Sequence, residues 1–127
     1  MTKVLVIEDE HLFRHSILEI LMYEGFKGIG AKNGRIGVRL AKEHLPDLIF
    51  CDILLPELNG YGVLAELRNN PVTATIPFIF LTSKAGLSDV RKGRHLGVNA
   101  YLTKPFKIDE LLATIHAQLK THDIVLT

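Results

Sequence analysis

The sequence predicts an α/β fold in three layers, a doubly wound parallel sheet of five strands with five helices. The first observation behind it is alternation: short apolar runs rich in β-branched residues take turns with segments whose apolar positions recur at helical spacing. The second is that the runs are continuously apolar, as strands covered on both faces are, with right-handed crossovers carrying the helices to either side. The third is size, since 127 residues with 47% hydrophobic and 23% charged content suit one globular domain with its own core.

Strand one is KVLVI (3–7). The helix after it sets Phe13, Ile17, Ile20, Leu21 and Glu24 on one stripe, apolar until its end. FKGIGA (26–31) and DLIFC (47–51) are strands two and three. Pro56 and Asn59-Gly60 then halt the third strand and start the third helix. PFIFL (77–81) is strand four, and helix four follows with Gly86 near its start and Gly93 inside it. An interior glycine costs a helix about 1 kcal/mol relative to alanine, which makes this helix a candidate bistable element. NAYL (99–102) is strand five, and the last helix contains LLATIHAQLK within 107–121. Residues 1–121 read as the domain and 122–127 as a C-terminal tail, either frayed or the beginning of something longer.

Parallel strands all finish on one edge, and ligands of open α/β sheets bind outside those carboxyl ends. Strand one ends in Glu8-Asp9, strand three in Asp52, strand four in Thr82-Ser83 and strand five in Thr103-Lys104-Pro105. Strand two ends in Ala31-Lys32-Asn33 and offers nothing comparable, which fits a sheet whose first strand lies between two and three, with the crevice opening between one and three. Two carboxylates about 4 Å apart repel by about 4 kcal/mol at an effective dielectric near 20, and three converge here. Lys104 supplies one positive charge and a hard divalent cation could supply the rest. Mg²⁺ suits a site with few carboxylates better than Ca²⁺, which wants an oxygen-rich loop. Asp52 then has a second use, because a carboxylate can attack phosphorus and form an aspartyl phosphate. Taken singly, each group has a plainer role: Asp9 as a helix cap, Thr82-Ser83 as a cap or turn, Lys104 as a solvated lysine. Their convergence points to a site.

These pieces resemble one family closely. VLVIEDE, the Asp52 strand with LLPELNGYGVL after it, FIFLTSKAG and GVNAYLTKPF stand in the order and at the spacing of the receiver domains of two-component response regulators, over residues 3 to about 120. The resemblance implies a flavodoxin-like strand order, 2-1-3-4-5, with Asp52 as phosphoacceptor. It further implies Mg²⁺ held by Asp9, by Asp52, by Glu8 through water and by the backbone carbonyl of Leu54, with Thr82, Ser83 and Lys104 gripping the phosphoryl oxygens. A cis bond before Pro105 would aim Lys104. Thr82 and Tyr101 would form the switch, the tyrosine turning inward and reshaping the face made by helix four, strand five and helix five. Implied partners are a sensor histidine kinase or histidine phosphotransfer protein, met near His11, Phe13 and Arg14. A protein target or an output domain outside these residues would lie downstream, and a homodimer would form through the switch face. The chain departs from the family at Leu54-Leu55, where relatives often carry a methionine beside the proline, and at Gly93, commonly alanine. Leu54 and Lys84 flank the phosphoryl pocket and in this family influence access of hydrolytic water.

Other features narrow the function. A net charge of +1 gives no global attraction to nucleic acid or an anionic membrane, and no second helix-turn-helix domain is present for DNA. Met1 leads directly into a strand and no segment approaches 18 consecutive apolar residues, so a cytoplasmic location is expected. The single cysteine, Cys51, reads as a buried hydrophobe. His11 and His15 are four apart but have no third ligand at suitable spacing, and Arg91, Lys92, Arg94 and His95 read as a solvated face. A dinucleotide site needs a glycine-rich first turn that EDEHLF lacks. Phosphatases of the haloacid dehalogenase class resemble DxD, and Leu54 stands where the second Asp belongs, so turnover of external phosphoesters is not expected. The remaining rival is a receiver-like binding module indifferent to phosphate. Such modules usually lose an acidic residue, the acceptor or the lysine, and this chain has lost none.

Overall fold

The structure is a computed structural model that describes residues 1–83 and 87–126, with 87–89 and 121–126 described in their main chain only. Elements alternate throughout: β1 (Lys3–Ile7), α1 (His11–Tyr23), β2 (Lys27–Ala31), α2 (Gly34–His44), β3 (Leu48–Asp52), α3 (Gly60–Arg68), β4 (Phe78–Thr82), α4 (Leu87–Leu96), β5 (Ala100–Thr103) and α5 (Ile108–Leu126). The strands form one parallel sheet in the order β2-β1-β3-β4-β5, as expected.

Because successive side chains of a strand point to opposite faces, the continuous apolar runs feed two cores. On one face Leu5, Ile7, Ile49, Cys51, Phe78 and Phe80 pack with Val38 and Ala41 of α2 and with Val63, Leu64 and Leu67 of α3. On the other Val4, Val6, Leu48, Phe50, Ile79 and Leu81 meet Ile17 and Leu21 of α1 and Leu111 and Ile115 of α5. The rings of Phe50, Phe78 and Phe80 are fully buried, each worth roughly 1.5–3 kcal/mol of transfer from water. The Cys51 thiol is fully buried too, and burial first, then the charges of Asp52 and Glu8, push its pKa well above that of a free thiol. It behaves as a core atom and not as a nucleophile.

Strands β2 to β5 begin one residue later than the apolar runs suggest, and β3, β4 and β5 also end one later. The cause lies in the ladder. Asp52 pairs with Leu81 and Thr82 with Thr103, so both polar residues are the last rungs of the sheet and not the first residues of loops. Pro77 contributes only its carbonyl, to Ile49 N–H at 2.9 Å. Helix starts are set by polar caps: Asn33 Oδ1 accepts from Ile36 N–H (2.8 Å) and Asn59 Oδ1 from Gly62 N–H (3.0 Å). At α1 the cap is Glu10, whose carboxylate accepts from Leu12 N–H (3.3 Å) and Phe13 N–H (2.6 Å). The capping role considered for Asp9 is thus taken by its neighbour. At the other end α5 runs on to Leu126, past the boundary expected at 121, because residues 122–126 contain neither glycine nor proline to stop it.

Leu64 is fully buried between α3 and the sheet. Leu64→Ala is expected to lower unfolding stability by about 2–5 kcal/mol in a urea titration, with the spread set by how far the cavity collapses.

Candidate functional site

Three carboxylates meet at the carboxyl edge. Glu8, Asp9 and Asp52 each offer an oxygen, and these atoms lie within 4.8 Å of one another, the one such group of three or more potential ligands among the described residues. Each is placed by main chain. Glu8 continues β1, its N–H donating to Ala31 O at 3.0 Å. Asp52 closes β3, and the start of α3 presses against it: Gly60 N–H donates to Ile53 O at 2.8 Å, and a Cβ at Gly60 would stand 2.5 Å from Asp52 O and 2.8 Å from Ile53 Cα. Only glycine allows that approach. Lys104 follows β5, and its own N–H donates to Thr82 O at 2.7 Å. The Lys104-Pro105 bond is cis.

The ammonium of Lys104 reaches back across 96 positions of sequence to Glu8 Oε1 at 2.6 Å and lies 3.3 Å from Asp52 Oδ2. The second oxygen of Glu8 accepts from Glu10 N–H (3.1 Å), and Asp52 Oδ1 accepts from Leu54 N–H (3.3 Å). Glu8 is 1% exposed, and burial raises its carboxyl above the usual range against the opposing pull of the Lys104 hydrogen bond. For Lys104 burial works downward, but the hydrogen bond to Glu8 and the charges of Asp52 and Glu8 outweigh it and hold the ammonium above its ordinary pKa. Three carboxylates against one ammonium leave two negative charges, and Asp9 faces solvent. The cluster therefore keeps an excess of negative charge on the side where Asp9 is open to water, and its oxygens could hold a cation.

Thr82 is buried at the end of β4 and Ser83 beside it is exposed. Tyr101 pairs with Phe80 in the ladder, its ring 5.7 Å from that of Phe80, and its hydroxyl donates to Val90 O of α4 at 3.2 Å. Lys84 and Gly86 lie outside the described residues. Leu54 is 76% exposed at the mouth of the crevice. Three features escaped the sequence: Glu10 as cap; Arg14, which ties α1 to β1 by donating to Glu8 O at 2.7 Å; and Phe13, whose ring sits beneath the Lys104 ammonium. Only the helical stripe hinted at the last. His11 and His15 stack with centroids 6.0 Å apart, His11 taking a contact from Arg14 (3.1 Å) and His15 one from Glu19 (3.3 Å). Lys92 is less idle than a solvated face implies, since its ammonium lies 4.3 Å above the ring of Tyr61.

A doubly wound sheet of this order, with an acidic cluster and a lysine at its carboxyl edge, defines a CheY-like α/β domain. The chain belongs to the response regulator receiver domain family, which it matches over residues 4–116. It is 39% identical to Protein PilG of Pseudomonas aeruginosa over 117 residues, 92% of this chain and 87% of that protein. It is 40% identical to the probable transcriptional regulator ycf29 of Pyropia yezoensis over 114 residues, 90% of this chain but 51% of the relative, so it spans about half that protein's length. Among solved structures, the chemotaxis protein CheY4 of Vibrio cholerae superposes with a TM-score of 0.91 at 26% identity, covering 94% of this chain and 99% of that one. The receiver domain of the sensor histidine kinase PA1611 from Pseudomonas aeruginosa, with magnesium coordinated in its active-site cleft, does so at 0.87 and 30%, covering 94% and 98%. Receiver domains are signalling modules of two-component systems, generally not enzymes in their own right, that bind Mg²⁺ and interact with histidine kinases or phosphotransfer proteins. Among the described residues no helix is long and apolar enough to cross a membrane.

The reading of α4 as bistable through glycine propensity has a second side. A Cβ on Gly93 would collide with the Tyr101 hydroxyl and stand 2.9 Å from its Cζ. Gly93→Ala is expected to gain about 1 kcal/mol of helix propensity and lose a hydrogen bond of about 1 kcal/mol, leaving stability nearly unchanged. Its visible effect is a displaced phenol, read as a shift of the Tyr101 ring resonances in NMR spectra that exceeds those of Tyr23 and Tyr61.

Proposed function

We propose that the chain accepts a phosphoryl group on Asp52 from the phosphohistidine of a sensor histidine kinase or phosphotransfer protein, with Mg²⁺, and signals through the face of α4, β5 and α5. The observation that carries this reading is the Lys104 ammonium, 2.6 Å from Glu8 and 3.3 Å from Asp52 inside a cluster that retains excess negative charge. A structural ion pair needs two groups, and a cap needs one. Three carboxylates and a lysine drawn from the ends of three strands serve neither purpose, but they suit transfer of a phosphoryl group, whose charge must be balanced from several sides.

In the transfer a carboxylate oxygen of Asp52 attacks phosphorus as the bond to the imidazole nitrogen breaks, and the electron pair returns to the ring. Lys104 exchanges its contact with Asp52 for a phosphoryl oxygen, while Thr82 and Ser83 offer hydroxyls from the adjoining strand end. The donor set fits Mg²⁺, with few oxygen ligands, one of them open to water. Asp9, Asp52 and the carbonyl of Leu54 would hold the ion, with Glu8, the most buried of the three carboxylates and 2.6 Å from the Lys104 ammonium, acting through water. When bound, Mg²⁺ supplies positive charge at the phosphoryl oxygens. The aspartyl phosphate adds nearly two negative charges and three acceptors beside Thr82, and drawing that hydroxyl inward frees the space Tyr101 would enter, away from Val90. Proteins that read the change, or a second copy of the chain, would dock on that face.

Incubation with acetyl phosphate and Mg²⁺ should add one phosphoryl group to the wild type by intact mass and none to Asp52→Asn. Equal labelling of both would move the acceptor elsewhere, and an unlabelled wild type would make the chain a phosphate-independent binding module. Mg²⁺ at ten times its dissociation constant should add about 1.4 kcal/mol to unfolding stability. In Asp9→Asn, whose side chain faces solvent and carries little of the fold, that increment should largely vanish.

A further inference from the structure

We propose that Phe13 is a positioning residue for Lys104, its ring holding the ammonium in place for a phosphoryl group on Asp52; this rests on the reading of Asp52 as phosphoacceptor. The Lys104 ammonium lies 4.4 Å from the centroid of the Phe13 ring. That ring is itself braced, since Phe106, two residues beyond Lys104, meets it edge-on at 5.7 Å and 68°. A turn that carries the lysine therefore also carries the clamp that orients the ring under it.

Lysine has a long, freely rotating stem, so an ammonium set among oxygen atoms needs more than attraction to stay in one place. Two of its contacts go to Glu8 and Asp52. Both are changed by the proposed reaction, Asp52 by conversion to an acyl phosphate and Glu8 by water bound to the metal. The face of Phe13 is the part of the surroundings that neither event alters. Its negative quadrupole attracts the cation without offering a lone pair that would compete with phosphoryl oxygens for the N–H groups. An aliphatic side chain of similar bulk would fill the space and keep α1 packed, but would exert no such pull.

The prediction separates Lys104 from the metal ligands. Beryllofluoride serves as the phosphoryl probe, followed by ¹⁹F NMR at saturating Mg²⁺, and Mg²⁺ alone is followed by calorimetry. Neither measurement involves a partner protein, so docking near α1 does not enter. Phe13→Leu should weaken beryllofluoride binding roughly three- to tenfold, the range of a single partly desolvated cation–π contact, and leave Mg²⁺ affinity within about twofold. Phe13→Tyr, which retains the ring face, should restore beryllofluoride affinity. Unchanged beryllofluoride binding in Phe13→Leu, an equal loss of both ligands, or failure of tyrosine to rescue would each overturn the role of Phe13 while leaving Asp52 as acceptor. A wild type that binds beryllofluoride no better than Asp52→Asn would overturn the acceptor reading, and this proposal with it.

Discussion

The contact between Lys104 and the carboxylates of Glu8 and Asp52 is what the carboxyl edge of the sheet depends on. Glu8 is almost wholly removed from water, and an unpaired charge there would be expensive to keep. Pairing it with a cation from the opposite end of the chain joins the end of β5 to the ends of β1 and β3, so the site exists only when β1, β3, β4 and β5 have come together. The same pairing leaves Asp9 and part of Asp52 unbalanced. That imbalance works against stability, and it is what the proposed uptake of Mg²⁺ and a phosphoryl group would draw on.

Rigidity and freedom are distributed unevenly around this edge. The central strands are buried on both faces by α1 and α5 on one side and α2 and α3 on the other. At the corner between α4 and β5, Arg68 donates to Gly97 O at 3.1 and 3.0 Å, to Ile76 O at 2.8 Å and to Asn99 Oδ1 at 2.9 Å. Burial lowers the pKa of its guanidinium, which donates to carbonyl oxygens of Ile76 and Gly97 and to the side-chain amide oxygen of Asn99. Arg68 thus ties the end of α3 to the turn before β5 through a cation whose charge is spread over neutral acceptors. The body of α4, by contrast, touches the neighbouring strand through Tyr101, whose hydroxyl occupies the notch left by Gly93. Among the described residues, α4 thus meets β5 through Tyr101 and α3 through Lys92 above the Tyr61 ring, and in the proposed function a shift of Tyr101 would be felt directly by the helix.

Much of this was legible in the sequence, for a definite reason. In a parallel sheet the carboxyl ends coincide, so a list of strand-end residues is already a list of neighbours; Glu8, Asp9, Asp52 and Lys104 come together on that logic alone. What escaped depends on side-chain direction. Glu10, not Asp9, reaches the first amide groups of α1, a choice between adjacent acids that spacing cannot make. Phe13 looked like one more member of an apolar stripe, although its first-turn position puts it beside the strand ends. The one-residue displacement of β3 and β4 arises because Asp52 and Thr82 still pair in the ladder, and polarity had suggested that pairing was over. The length of α5 was underestimated because a run of residues without breakers looks the same whether it frays or continues.

The hydrogen bond from Lys104 N–H to Thr82 O has a consequence for how information leaves the site. It ties together the backbones that carry the two groups proposed to meet the phosphoryl oxygens, which resists a slide of one against the other. Only torsions of the attached side chains remain available there. Under the proposed function the message would leave as a change of rotamer, passed to a helix that hangs beside the sheet, with the sheet itself as the stationary frame against which that small rotation is measured.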